Sequence, residues 1–215
     1  MSQMDILDFV LCLIELGAIY LFFQYILNAR FSGLFPTLLI AGINAVFVYF
    51  CSGLNIVDKS LIFFCFLMIG NTILYRNKNL IRTALSMLML YIFYIIDIIF
   101  GNICSLVLDE QFLDVFYNNF IDRLVICLII KLFDIIAIIS IAKAFHKVDL
   151  NLSNRIWGMF NIAIGVFLII TVAFIHIYSQ SSQDELSALV YSVISVSFFV
   201  MSLIVIYFFT YICSS

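Results

Sequence analysis

Four ionisable residues stand inside long apolar stretches, where a charge is costly: Glu15, Asp97, Lys131 and Asp134. Burying each in a bilayer costs roughly 2.5–3.5 kcal/mol on insertion scales, so each requires a partner or a task. Lys131 and Asp134 are three apart, which on a helix places them on one face and lets them pair directly. Glu15 and Asp97 have no local partner. Such a set can build a polar network that only fixes helix packing, line an externally open cavity, or form a conformational switch, and all three readings stay open. Polar groups on further helices accompany them: Asn44, Asn71, Asn102 and Asn161, suited to interhelical hydrogen bonds, and His176. The histidine, one turn from the end of its stretch, is either an interfacial hydrogen-bonder or a ligand contact. No catalytic residue is expected, because no hydrolase elbow, HExxH, P-loop or glycine fingerprint occurs. The six cysteines (Cys12, Cys51, Cys65, Cys104, Cys127, Cys213) show neither CxxC nor Cys/His spacing, so no metal, disulfide framework or cofactor is expected.

The elements that carry these residues must be membrane helices. Hydrophobic residues make up 66% of the 215 and charged ones 11%, with a mean hydropathy of +1.23, more apolar surface than a water-soluble fold of this size can hide. Apolar runs cover residues 6–27, 34–54, 56–75, 83–108, 124–145, 156–178 and 186–212, and a crossing needs about 20 apolar residues. Seven crossings, an all-α bundle and no soluble domain are therefore expected, the whole of 1–215 forming one membrane domain. The third run is the weakest, because Asp58 and Lys59 interrupt its start. Pro36, the sole proline, falls in the first turn of the second helix, where its missing N–H costs nothing. No basic segment precedes the first run, which instead follows Asp5 and carries Asp8, so it reads as a retained helix and not a cleavable signal.

Seven of the ten basic residues (Arg30, Arg76, Lys78, Arg82, Lys143, Lys147, Arg155) fall in or beside alternate connections. By the positive-inside bias those connections are cytoplasmic, which places Met1 outside and Ser215 inside and leaves Lys59 and Arg123 on the outer side. On that orientation Asp97, Lys131 and Asp134 lie roughly 10–17 Å below the outer surface, at 1.5 Å per residue, with Glu15 at similar depth. The net charge of -3 and the absence of a Lys/Arg cluster exclude nucleic acid as a partner.

Two further segments have a pattern of their own. In the outer connection 109–122, Phe112, Val115, Phe116 and Phe120 recur at helical spacing opposite acidic and amide residues, which predicts a short interfacial helix, either a membrane strap or a surface that receives an external ligand. In the last run Ala188, Ser192, Ser195 and Ser202 trace a small-residue stripe. That stripe packs inside the bundle or forms the seam of a homodimer.

An Ile/Phe-rich bundle of six or seven helices with basic cytoplasmic connections, no catalytic motif and a last helix ending Val200-Met-Ser-Leu-Ile-Val-Ile-Tyr-Phe-Phe-Thr-Tyr-Ile-Cys-Ser-Ser215 resembles the sensor region of accessory-gene-regulator-type receptor histidine kinases of low-GC Gram-positive bacteria. The resemblance covers the whole chain. It implies a multi-pass plasma-membrane receptor of a two-component, quorum-sensing system. Such a receptor detects an extracellular peptide and signals through its last helix, as a dimer, to a cytoplasmic kinase module. The family's phospho-accepting histidine and ATP site do not occur in these 215 residues. The alternative is a small-solute-binding transporter subunit, which the scarcity of glycine and proline and the lack of paired broken helices disfavour.

Overall fold

The computed structural model describes residues 3–31, 33–51, 54, 56–107, 120–146, 150, 152–180, 193–194, 196–198 and 200–207. Among the described residues there are seven helices and no strand: α1 (Gln3–Ile26), α2 (Phe35–Phe50), α3 (Ile56–Leu74), α4 (Asn79–Val107), α5 (Phe120–Phe145), α6 (Asn154–Gln180) and α7 (Val196–Tyr207). The chain is an all-α bundle. Four helices contain spans long and apolar enough to cross a membrane, Ile6–Ile26, Asn79–Phe100, Arg123–Phe145 and Asn154–Ala173. At 1.5 Å per residue each reaches about 30–35 Å, the thickness of a hydrocarbon core. The outward faces agree with that solvent. On α5, Ile121, Val125, Leu128, Leu132, Ile136 and Ile139 recur at three- and four-residue spacing and are all exposed, an apolar stripe that water would not tolerate but lipid would. This is a membrane protein.

α4 is the axis of the bundle. It packs against α3, α5 and α6, and α1 packs against α2 and α5; 61% of the α4 span is buried against 17% of the α5 span. Leu85, Leu88 and Met89 of α4 meet a core that includes Leu16, Tyr20 and Phe23 of α1, Leu67 of α3 and Trp157 of α6. Helix α2 presents Thr37, Ala41, Asn44, Ala45 and Val48 inward, one face at 4-3-1-3 spacing. Ala41 and Ala45, four apart and fully buried, let backbones approach closely.

One end of the bundle is stitched by polar backbone contacts. The turns after α1 and α3 pair through the antiparallel bridge Ala29–Tyr75, with Arg30 N–H donating to the Leu74 carbonyl (2.7 Å) and Arg76 N–H to that of Asn28 (3.0 Å). Asn28 N–H also donates to Asn77 Oδ1 at 2.7 Å. Gln24 donates to the Gly33 carbonyl (3.2 Å) and accepts from Thr37 at the start of α2. Gly33 has φ 92°, which no other residue type adopts readily. His146, just past α5, lies against Tyr25 near the end of α1, and Asn161 in α6 donates to the Leu80 carbonyl in α4 at 2.8 Å. Arg30, Arg76, Lys78, Arg82, Lys143 and Arg155 thus gather at this one end. Arg82 is buried there (6% exposed) and donates to the carbonyls of Asn71 and Tyr75, both at 3.3 Å, and to Asn79. A cation on the last carbonyls of α3 satisfies groups the helix leaves open and complements its dipole.

Helix boundaries differ from the sequence expectation in three places. α2 stops at Phe50 and not near residue 54, the Cys51 N–H turning back to Phe47 and Val48, just before the turn-favouring Ser52-Gly53. α4 begins at Asn79, four residues early, because Arg82 is absorbed by the end of α3. α5 begins at Phe120, so this residue, placed by the sequence pattern in a separate interfacial helix, belongs to the first turn of a long helix instead. Residues 108–119, including Phe112 and Phe116, lie outside the described residues.

Candidate functional site

The charged residues converge midway along the helices, below the other end of the bundle. Glu15, Asp97 and Lys131 lie about 15–18 Å along their helices from Gln3, Val107 and Phe120, the ends that meet on that side, so three helices deliver them to one level. Lys131, its side chain only 13% exposed, donates from Nζ to Glu15 of α1 and to Asp134 Oδ2 at 3.0 Å, and its Nζ lies 5.7 Å from the centre of the Phe93 ring. The local Lys131–Asp134 pair expected from spacing is present, and Glu15 joins it from a helix 116 residues away in sequence. Asp134 is the most deeply buried of the three, at 2%, and its Oδ1 has no hydrogen-bond partner among the described residues. Two carboxylates thus share one ammonium.

A cavity of about 360 Å³ opens beside this triad. Asp8, Glu15, Lys59, Asp97 and Arg123 line it, together with Tyr49, Phe63, Phe93 and Tyr94. Arg123 bridges both oxygens of Asp8, at 2.7 and 2.9 Å. Asp97 is exposed to the cavity and makes no hydrogen bond or ion pair among the described residues. Tyr94 shares a 2.7 Å hydrogen bond with Ser60 of α3, fixing the wall between α3 and α4. The result is a recess with mixed charge and aromatic walls, reached by the ion triad through Glu15, which can hold a small polar guest without covalent chemistry.

Spacing marked Glu15, Asp97, Lys131 and Asp134, and the fold brings all four to this region. It did not mark Asp8, Lys59 or Arg123, read only as outer charges. A signal was present: Asp8, Leu11, Cys12 and Glu15 follow 3-1-3 spacing along one face of α1, and all four line the cavity. Phe120 lies in the first turn of α5 and is not among the lining residues. His176 belongs to α6, but its side chain is outside the described part. Ser202 is buried (1%) in α7, where the Tyr91 hydroxyl of α4 donates to the neighbouring Phe198 carbonyl at 3.2 Å, so at this position the small stripe packs within the chain. Ala188, Ser192 and Ser195 are outside the described residues. Asn44 donates to the Tyr20 hydroxyl and to the Phe66 carbonyl (3.2 Å), and Asn71 to Ser86 Oγ (2.9 Å), the interhelical bonds expected of such asparagines.

No protein-family model, curated protein or solved structure matches this chain.

Proposed function

We propose that the chain is a multi-pass plasma-membrane receptor whose cavity receives an extracellular ligand and whose last helix passes the signal inward, to a cytoplasmic kinase module as the resemblance implies. The observation that carries this reading is the charge-lined cavity at the bundle end opposite the gathered basic residues. With the basic end cytoplasmic, the start of α1 and the cavity face outward. A receptor needs a ligand that binds two helix arrangements unequally. The cavity offers such a difference, because its lining residue Glu15 of α1 is tied to Lys131 of α5 while α4 supplies Phe93, Tyr94 and Asp97. α4 also reaches α7 through Tyr91 and the Phe198 carbonyl, one continuous helix between the guest and the element that would signal. Capture of a small solute for transport is the second reading, favoured by the cavity volume, which lies at the lower end of the small-molecule range.

The test is thiol accessibility in intact cells, in a chain freed of native cysteines. A membrane-impermeant reagent is expected to label Phe63→Cys without permeabilisation and Arg155→Cys only after it. The reverse pattern overturns the orientation and the receptor reading together. Peptide fractions of spent culture medium from the native bacterium are then added to the Phe63→Cys chain: protection of its thiol without uptake supports a receptor, and accumulation of the protecting compound inside the cell supports solute capture.

A further inference from the structure

Each charge at the cavity can be followed to a partner until two remain. Asp8 is held by Arg123, and Glu15 and Asp134 are held by Lys131. Asp97 of α4 and Lys59 of α3, which have opposite sign and line the same recess, have no ion-pair partner among the described residues and are not within 4.0 Å of each other. Asp97 lies about 15 Å from the end of α4, where an unpaired charge in an apolar bundle is expensive and pairing is the usual outcome, while Lys59 stands in the first turn of α3. A cavity that leaves one carboxylate and one ammonium outside every close ion pair is complementary to a guest with both charges.

We propose that the cavity binds a zwitterion, a free α-amino acid or an apolar dipeptide, with its ammonium on Asp97 and its carboxylate on Lys59. This rests on the receptor reading and adds the chemical class of the ligand. The remaining lining agrees with the assignment. Tyr94, three residues before Asp97, gives the ammonium an aromatic face, while Phe63, one turn beyond Lys59, offers an apolar wall to a side chain. The cavity of about 360 Å³ is too small for a folded peptide and large enough for one or two residues. A purely anionic guest would face Glu15 and Asp97, and a purely cationic one would leave Lys59 stranded.

The experiment measures melting temperature of the full chain in lipid nanodiscs, since a ligand that binds only the folded state raises it with concentration. The probes are the standard amino acids and a set of apolar dipeptides, each beside its N-acetylated and its carboxyl-amidated form. At least one zwitterion is expected to stabilise the chain, and each blocked form to need about tenfold or more higher concentration, the loss of one charge-assisted contact. In Asp97→Asn the N-acetyl block should cost nothing further, and in Lys59→Gln the amide should cost nothing further. Stabilisation by no zwitterion, or equal binding of blocked forms, overturns the assignment. The labelling of Phe63→Cys separates the two readings: a cavity reached from outside that accepts blocked forms equally sinks only the zwitterion, whereas one not reached from outside sinks the receptor.

Discussion

Lys131 neutralises two carboxylates at once, and this changes what its removal would do. With a single partner, Lys131→Met and Asp134→Leu together would restore balance. Because Glu15 also adds its charge to the triad, the double variant leaves one carboxylate stranded, and only addition of Glu15→Gln removes the last one. In detergent, Lys131→Met is expected to cost about 3–5 kcal/mol, the double variant to recover part of that and the triple most of it; thermal denaturation of the four proteins decides, and equal losses throughout would show that the residues do not compensate. Arg82 is the counterpart at the basic end. Its guanidinium serves three acceptors in different directions, so Arg82→Met should lose about 2–3 kcal/mol. Arg82→Lys should recover little, because one ammonium cannot reproduce the planar fork.

Among the elements, α3 depends on one missing side chain. A Cβ at Gly70 would collide with the Tyr20 hydroxyl and stand 2.9 Å from Ile40 Cγ2, displacing the tyrosine that accepts from Asn44. Gly70→Ala is therefore expected to lower stability by about 1–3 kcal/mol despite the helical preference for alanine. Gly165→Ala on α6 is the control: its nearest neighbour would be Met87 Sδ at an ordinary 3.6 Å, and it should be neutral or stabilising by up to about 1 kcal/mol. A parallel melting curve for both variants tests the difference. The small residues of α7 divide in a similar way. Ser202 faces α4 inside the chain, so Ser202→Cys should not cross-link between copies in membranes, and an efficient cross-link would mean that α7 turns this face to a second copy.

For the whole molecule, basic residues from several connections and helix ends are brought to one end by the paired turns after α1 and α3. If that end sets orientation, replacing Arg76, Lys78, Lys143 and Arg155 by Gln should yield a mixed population, with part of Phe63→Cys no longer labelled from outside. Unchanged labelling would assign orientation to other features. The apolar content and the apolar runs were enough to define an all-α membrane bundle, because a bilayer demands apolar helices and leaves a plain mark in composition. The inward asparagines and the Lys131–Asp134 pair were equally legible, being local or obligatory consequences of burying polar groups. The partner of Glu15, the isolation of Asp97 and the membership of Asp8, Lys59 and Arg123 in one cavity were not. Those depend on which faces of α1, α3, α4 and α5 meet, and at separations of up to 116 residues only packing in three dimensions decides which charges find one another.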